Sequence, residues 1–190
     1  MAALRMVILG RQGAGKGTQS GLLVDEFGCM HVSTGDMLRA TVAAGTDLGL
    51  QAKAVMEAGD LVSDEIMNGI VAERMAEPDI AENGILLDGF PRTADQADAL
   101  EQILDDLGQK LTLAVNLDVP VEEVTARMMA RGRSDDTEEA IMRRLELYDE
   151  QTSPLLDWFE ARGLLETVDG LGREDEIHDR LSVTIRGRLG

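Results

Sequence analysis

The stretch Gly10-Arg-Gln-Gly-Ala-Gly-Lys16-Gly-Thr18 decides the fold class, because it follows a short apolar run and leads into an amphipathic segment. Its glycines let backbone N–H groups converge on phosphate oxygens, and a helix start adds the positive end of its dipole. Lys16 supplies a mobile charge for terminal phosphates, and Thr18 is placed to offer its hydroxyl to Mg²⁺. The alternative is a Gly-rich tight turn with Lys16 solvated at a helix start. The three glycines, the lysine and the flanking elements together favour a nucleoside triphosphate site.

Short aliphatic runs alternate with amphipathic segments along the rest of the chain. The aliphatic runs predict buried strands at 6–9, 29–32, 85–87, 111–117 and 165–168. The amphipathic segments predict helices at 16–27, 36–44, 47–58, 64–75, 93–107, 121–130, 137–161 and 174–189, with a kink or break at Pro154. Apolar strands separated by helices indicate an α/β fold with a five-stranded parallel sheet covered on both faces. Three helical segments between the second and third strands exceed what a crossover needs and mark a candidate subdomain.

Composition excludes several classes of function. The chain has 190 residues, a length typical of one domain, and its 18 Lys+Arg and 36 Asp+Glu give a net charge of −18. Nucleic-acid binding that ignores sequence depends on a basic face, so we expect no nucleic-acid partner. No apolar run approaches the ~20 residues that cross a bilayer, and the N-terminus is a poor signal peptide, so we expect a cytoplasmic protein without a membrane partner. Cys29 is the only cysteine. It excludes a zinc site built on several cysteines, and we expect it to be a small buried apolar residue.

Two further segments end predicted strands and carry an arginine each. They read Ser33-Thr34-Gly35-Asp36-Met37-Leu38-Arg39 and Asp88-Gly89-Phe90-Pro91-Arg92-Thr93. Ligands of open α/β sheets collect at the carboxyl ends of strands, so both segments should face the same crevice as the glycine-rich loop. Arginine is suited to holding a phosphate through two hydrogen bonds. We therefore expect a second phosphorylated substrate.

These motifs, with Gly59-Asp-Leu-Val62 and Asp135-Asp-Thr-Glu-Glu139, occur in the order found in the adenylate kinases, and the resemblance covers essentially the whole chain. It implies a P-loop kinase of one domain (1–190), with a helical AMP-binding subdomain at 33–62 and a short lid at 130–136. It implies reversible transfer of the terminal phosphoryl group of MgATP to AMP, giving two ADP. It also implies a monomer with ATP, AMP and ADP as its partners and Mg²⁺ as its cofactor.

The resemblance also assigns roles to individual residues. It implies that ATP is held by Gly13, Ala14, Gly15, Lys16, Gly17, Thr18, Arg127, Arg131 and the backbone of Gly172. It implies that AMP is held by Thr34, Arg39, Asp60, Leu61, Val62, Gly89, Phe90, Pro91, Arg92, Gln96, Arg133 and Arg144. The cations that act in phosphoryl transfer would be Lys16, Arg92, Arg131, Arg133 and Arg144. Family members often have Pro where Gln12 stands and an uncharged residue where Arg11 stands, which concerns only the fine geometry of the loop.

Several residues have two interpretations. Asp88 either caps a turn or binds Mg²⁺ through water, and we favour the metal role. Gln96 either completes a capping box with Thr93 or contacts adenine. Asp135 and Asp136 either cap a helix or help to close the lid. Arg143 should face solvent, about 100° away from Arg144 around the helix. His31 and His178 are expected to be structural or exposed.

The acidic surface and the acceptor specificity also leave alternatives. The chain has 15 Arg and only 3 Lys. The remaining acidic surface either keeps the protein dispersed or is an adaptation to salt, in which case stability should rise with NaCl or KCl. One rival function is that of a UMP/CMP kinase. Thr34 argues against it, because the resemblance associates Thr here with adenine and Ala with pyrimidine acceptors. A second rival is a catalytically silent nucleotide-binding module, against which the lid arginines argue.

Overall fold

A computed structural model describes residues 3–43, 47–58, 60–133 and 136–190. In chain order, the elements that precede the third strand are β1 (Leu4–Leu9), α1 (Lys16–Phe27), β2 (Met30–Ser33), α2 (Thr34–Ala43), α3 (Asp47–Ala58), α4 (Asp64–Met75) and α5 (Pro78–Asn83). They are followed by β3 (Gly84–Asp88), α6 (Ala94–Asp106), β4 (Leu113–Asp118), α7 (Val121–Arg131), α8 (Glu138–Leu147), a π-helical turn (Tyr148–Thr152), α9 (Ser153–Ala161), β5 (Leu165–Asp169) and α10 (Glu174–Leu189).

The five strands form one parallel sheet in the order β2-β3-β1-β4-β5, which confirms the predicted fold class. The register places Asp88 of β3 beside Ile8 of β1 on one side and beside Ser33 of β2 on the other. The loop after β1 and the segments that begin at Thr34 and Gly89 therefore leave the sheet at the same edge. Parallel strand order alone thus gathers the three motifs, as ligand sites of open α/β sheets require.

Helices cover both faces of the sheet. Alternate side chains of β1 point to opposite faces, so Met6 and Ile8 belong to one apolar cluster and Val7 and Leu9 to the other. The first cluster packs against α1, α7, α8 and α10, and the second packs against α2, α4, α5, α6 and α9. Because both faces are buried, the central strands are apolar throughout, and this is why short aliphatic runs revealed them.

The structure corrects the predicted elements in two places and confirms a predicted break in a third. The helix predicted from residue 36 begins at Thr34, directly after β2. The short helix α5 was missed, because six residues are too few to show a helical period. The segment predicted as one helix from 137 to 161 is two helices joined by the π-helical turn, which confirms the break at Pro154. Proline lacks an N–H and its ring clashes with the preceding turn of an α-helix, and a widened turn avoids both problems.

Two predicted segments lie partly outside the described residues. The proposed AMP-binding subdomain at 33–62 includes residues 44–46 and 59, and the proposed lid at 130–136 includes Ser134 and Asp135. Inside the described ranges, the first segment is formed by α2, α3 and the chain that leads to α4. None of the helices in those ranges is long and apolar enough to cross a membrane.

Candidate active site

The loop after β1 has the backbone conformation that its glycines predict. Ala14 N donates to Arg11 O at 3.1 Å, which closes a turn with Gln12 and Gly13 at its centre. Gly13 has φ +88°, and a Cβ atom there would lie 2.6 Å from the carbonyl oxygen of Val124. Only glycine fits this position, since the backbone conformation and the close approach of α7 both exclude a side chain. The loop is therefore held open toward the edge of the sheet.

Lys16 begins α1 and folds back over the loop. Its Nζ donates to the carbonyl oxygens of Gly10 at 2.8 Å and Arg11 at 3.1 Å. Removal from water lowers the pKa of Lys16, and the charges of Arg92 and Arg131 lower it further, against the opposing effect of Asp88. Among the described residues, the ammonium group donates to these two carbonyl oxygens, and the attraction of Asp88 is opposed by the repulsion of Arg92 and Arg131. An anion in this place would relieve that repulsion.

A cleft of about 430 Å³, the main cleft, opens beside this loop. Its wall contains most of the residues predicted for ATP, together with seven of those predicted for AMP. These residues are Gly13, Gly15, Lys16, Gly17, Thr18, Arg127 and Arg131 for ATP, and Arg39, Leu61, Gly89, Pro91, Arg92, Arg133 and Arg144 for AMP. The main cleft therefore brings together residues from the three motifs and from the arginine cluster of α7 and α8.

Arg92 lies where the loop after β3 meets this cleft. Its Nε donates to the carbonyl oxygen of Gly89 at 2.8 Å, which fixes the guanidinium group. Burial lowers the pKa of Arg92, and the charges of Arg144 and Arg39 lower it further, while Asp88 acts in the opposite direction. Arg92 therefore lies within electrostatic reach of two further arginines, Arg39 and Arg144, and such a group of guanidinium side chains suits a phosphate ligand.

A smaller pocket of about 70 Å³, the side pocket, adjoins the main cleft. Nine residues predicted for AMP line it, and they are Thr34, Arg39, Asp60, Leu61, Val62, Gly89, Arg92, Gln96 and Arg144. Thr34 is buried, and its hydroxyl donates to the carbonyl oxygen of Asp88 at 3.4 Å. Apolar side chains of Leu38, Met56 and Met67 complete the wall.

Gln96 shows that its two interpretations are compatible. Thr93 caps α6 by accepting from Gln96 N at 3.2 Å, and Gln96 Oε1 accepts from Arg92 N at 2.8 Å. Its Nε2 donates to Asp64 Oδ1 at 2.6 Å, and the side chain lines the side pocket. The capping interpretation is confirmed, with Arg92 N as the donor to the Gln96 side chain in place of Thr93 N. The contact with adenine stays a prediction.

The structure corrects the capping role considered for Asp136. Thr137 caps α8, because its hydroxyl accepts from Ala140 N at 3.2 Å. Asp136 instead accepts from Arg131 Nε at 2.6 Å and from Arg144 Nη1 at 3.1 Å, and its carboxylate is buried between them. Burial on its own raises the pKa of Asp136, but the hydrogen bond from Arg131 and the charges of both arginines bring it below the ordinary value. Asp135 lies outside the described residues.

Arg143 and Arg144 contact the proposed AMP-binding segment from α8. Arg143 is exposed, as predicted, but its Nε donates to Asp60 Oδ1 at 2.8 Å. Arg144 Nη2 donates to the carbonyl oxygen of Met56 at 3.0 Å. Asp60 therefore lines the side pocket while its carboxylate is paired with α8. Sequence alone did not reveal this pairing, since 83 residues separate the two side chains.

Three residues predicted for the site do not line either cavity. Ala14 and Phe90 are buried, and Ala14 O accepts from Arg127 Nη1 at 3.2 Å. Gly172 lies in the exposed loop between β5 and α10, where a Cβ would come within 2.8 Å of Glu176. Conversely, Tyr148 and Thr152 line the main cleft and were missed. They follow α8 without any motif, and only the nearby Pro154 marked the region as irregular.

The structure also places both histidines and Cys29. His31 Nε2 is 4.0 Å from Asp88 Oδ2, and His178 Nε2 is 2.9 Å from Glu26 Oε2. Cys29 is buried as predicted, and burial raises the pKa of its thiol to about 11. It therefore stays a neutral apolar residue.

A parallel sheet with this glycine-rich loop after its central strand, opening into a cleft lined by arginines, defines a P-loop phosphotransferase. The model of one family, described as adenylate kinase, matches residues 8–164. The chain belongs to the adenylate kinase family, and it is a nucleoside monophosphate kinase.

Relatives that match nearly the whole chain are also named adenylate kinase. An adenylate kinase of Stenotrophomonas maltophilia (strain R551-3) is 47% identical over 188 residues, which cover 97% of this chain and 100% of the relative. An adenylate kinase of Nocardia farcinica is 51% identical over 177 residues, covering 93% of this chain and 96% of the relative.

Proposed function

We propose that the main cleft binds ATP, that the side pocket binds AMP, and that the terminal phosphate of ATP meets the phosphate of AMP where the two cavities join. The family's reaction is reversible transfer of the terminal phosphoryl group of ATP to AMP, which gives two ADP. The observation that carries the proposal is that Arg39, Arg92 and Arg144 line both cavities. Cations placed at such a junction can hold the triphosphate of ATP and the phosphate of AMP at once.

Charge and positioning account for the reaction in this site. Phosphoryl transfer requires little covalent chemistry of the protein, so catalysis rests on alignment and on stabilising developing charge. The AMP phosphate is largely dianionic near pH 7, since the second pKa of a phosphate monoester is about 6. It needs no general base. Lys16, Arg92, Arg131, Arg133 and Arg144 supply positive charge around the meeting point.

The residues present fit a magnesium ion bound with ATP. The Thr18 hydroxyl and the Asp88 carboxylate, both hard oxygen donors, line the main cleft. In the described ranges, no group of three or more His, Cys, Asp or Glu side chains could hold a metal ion. Mg²⁺ commonly keeps several waters and binds one or two protein groups with substrate phosphates, so two donors suffice. When bound, the ion would offset charge on the phosphates, with Asp88 contacting it through water.

Water must be kept from the transferring group, and two described contacts support a closing role for α8. Asp136 draws Arg131 and Arg144 together, and Arg144 reaches the carbonyl of Met56 on α3. These contacts bring the proposed lid and AMP-binding segments against each other. We infer that the chain acts as a monomer, since one chain supplies the residues that line both cavities.

A coupled assay that scores ADP tests this proposal. MgATP is supplied with AMP, UMP, CMP or no acceptor, and we expect turnover with AMP alone. Thr34→Ala should increase the use of UMP and CMP relative to AMP, because the buried hydroxyl shapes the side pocket. Wild-type turnover with UMP or CMP at the AMP rate would support the pyrimidine kinase instead, and no turnover with any acceptor would support a silent binding module.

Arg92→Ala provides a second test in the same assay. Arginines that stabilise the transferring group contribute about 10³-fold or more to phosphoryl transfer, so we expect a loss of that order with the fold retained. Arg162→Ala is the matched control. Arg162 stacks on Trp158 at 3.5 Å, outside both cavities, and its removal makes the same change in charge. Unchanged kinetics in Arg92→Ala would contradict the assignment.

A further inference from the structure

Gln12 occupies an unusual place in the site. Seven residues line both the main cleft and the side pocket. Three are arginines, two are glycines, one is Leu61 and the seventh is Gln12. Among these seven, Gln12 alone has a neutral side chain that can donate a hydrogen bond. Gln12 therefore lies at the junction where the terminal phosphate of ATP and the phosphate of AMP are proposed to meet.

The backbone at Gln12 does not require glutamine. Gln12 and Gly13 are the central residues of the turn closed by Ala14 N and Arg11 O, and Gly13 has the positive φ that a type II turn needs at this point. Proline is common at the position that Gln12 occupies in such a turn, because its fixed φ suits the geometry. Glutamine gives up that rigidity. What it adds is a side-chain amide.

This amide is available to a ligand. The Gln12 side chain makes no hydrogen bond to any residue in the described part of the chain, and its polar atoms are not buried. The nearby glutamines differ. Gln19 Nε2 donates to Glu174 O at 2.9 Å, and both polar atoms of the Gln96 side chain are bonded. Gln12 thus faces the junction with its hydrogen-bonding groups unused.

A neutral donor suits a place that already holds several cations. Burial is the main cause of the lowered pKa values of Lys16 and Arg92, and neighbouring cations add to it: Arg92 and Arg131 act on Lys16, and Arg144 and Arg39 act on Arg92. Another arginine or lysine would increase the repulsion between these cations in the enzyme without substrates. An amide N–H can donate to a phosphoryl oxygen without adding charge.

We propose that Gln12 contacts the transferring phosphoryl group, donating from its side-chain amide to an oxygen of that group between ATP and AMP. The proposal rests on the assignment of the two cavities to the two nucleotides. The contact forms where charge is shared between both substrates, so it stabilises the transition state more than it stabilises either bound nucleotide.

Gln12→Met tests the contact, because methionine has a similar length and lacks the N–H donors. A hydrogen bond to a charged group corresponds to about a 10- to 100-fold change, so we expect kcat to fall by that factor. The KM values for ATP and AMP, and the dissociation constant of ATP alone, should change by less than about 3-fold. Gln12→Glu should lower kcat further, because it brings a negative charge to the phosphates. Gln102→Met, on the exposed side of α6, is the matched control and should retain wild-type kcat.

Gln12→Pro distinguishes the role of the side-chain amide from that of the turn geometry. Proline favours the turn and removes the donor, so we expect it to lose as much kcat as Gln12→Met. Full activity in Gln12→Pro with reduced activity in Gln12→Met would show that only turn geometry matters, and would overturn the proposal. Wild-type kcat in Gln12→Met, or a parallel loss of ATP affinity, would also overturn it. Failure of the proposed function is distinct, since the wild type would then form no ADP from AMP.

Discussion

The guanidinium group of Arg11 lies 5.0 Å from the centroid of the Tyr148 ring, and its Nη2 donates to Asp149 at 2.7 Å. Tyr148 and Asp149 belong to the π-helical turn. The last residue of that turn, Thr152, donates from its hydroxyl to the carbonyl oxygen of Arg92 at 2.9 Å. One irregular turn therefore contacts the glycine-rich loop and the loop of Arg92. The turn thus connects the loop proposed to hold the phosphates of ATP with the loop whose Arg92 is proposed to hold the phosphate of AMP.

Removing the Arg11 side chain should loosen this link. An exposed ion pair contributes about 0.2–1 kcal/mol and a cation–π contact about 0.5–1 kcal/mol, so Arg11→Ala should lower the free energy of unfolding by about 1 kcal/mol. Urea unfolding of Arg11→Ala, Asp149→Ala and the double variant measures the coupling. We expect the two losses to be less than additive. Fully additive losses would show that the pair does not interact in solution.

Lys16→Met should make the protein without ligand more stable while abolishing turnover. The pKa of Lys16 is lowered from 10.5 in the folded protein, mainly by burial. Between this lowered pKa and 10.5, Lys16 therefore holds its proton more fully in the unfolded chain than in the folded protein. The charged form of Lys16 therefore lowers the free energy of unfolding of the wild type at pH values below the pKa of Lys16 in the folded protein. This destabilisation disappears as the pH rises toward 10.5. We expect a gain of about 1 kcal/mol near pH 7 for Lys16→Met.

Urea unfolding across the pH range checks the sign of this effect. The difference between Lys16→Met and the wild type should narrow as the pH increases. Lys53→Met is a control, since Lys53 is exposed on α3 and pairs with Glu57 at 3.8 Å. A Lys16→Met variant less stable than the wild type near pH 7 would contradict the prediction.

Asp136→Asn should lower the free energy of unfolding near neutral pH, and this effect should disappear in acid. The hydrogen bond from Arg131 and the charges of both arginines outweigh burial and lower the pKa of Asp136 below 3.8. The ionised carboxylate therefore raises the free energy of unfolding at pH values above 3.8, and this contribution is lost as the pH falls through the lower pKa of the folded protein. Loss of charged hydrogen bonds should cost about 2 kcal/mol near pH 7.

Denaturant unfolding between neutral and acidic pH measures this difference. It should shrink as the pH falls from 3.8 through the lower pKa of the folded protein, where the wild-type carboxylate becomes protonated. Asp175→Asn is a suitable control, because Asp175 pairs with Arg173 on an exposed surface. Equal stability of Asp136→Asn and the wild type at neutral pH would refute the structural role given to Asp136.

Salt should stabilise the chain. Its net charge of −18 makes the folded surface repel itself, and ions screen that repulsion. We expect the melting temperature to rise from low to molar KCl, by about 2–4 °C for each 1 kcal/mol gained. NaCl should act equally if screening is the cause. A melting temperature that stays flat or falls would favour the simpler explanation that the charge only keeps the protein dispersed.

The sequence predicted the fold and most of the cavity lining, because local features carry them. Gly13 and Lys16 lie in a motif whose geometry is set by the backbone, and the aliphatic strands require cover on both faces. It did not predict contacts between distant side chains, such as Asp60 with Arg143 or Arg11 with Asp149. Those depend on how helices cross, which no short pattern encodes. Of the two interpretations left open for Asp136, the capping role is wrong for a related reason, since Thr137 next to it offers the same chemistry and caps α8.

Titration with two adenosines bridged by five phosphates tests the central claim most directly. If both cavities share one set of arginines, one molecule of this mimic should bind per chain and should exclude ATP and AMP together. In a crystal of the complex, Lys16, Arg92 and Arg144 should contact its phosphates. Two mimic molecules per chain, or AMP that still binds when the mimic is saturating, would contradict the account.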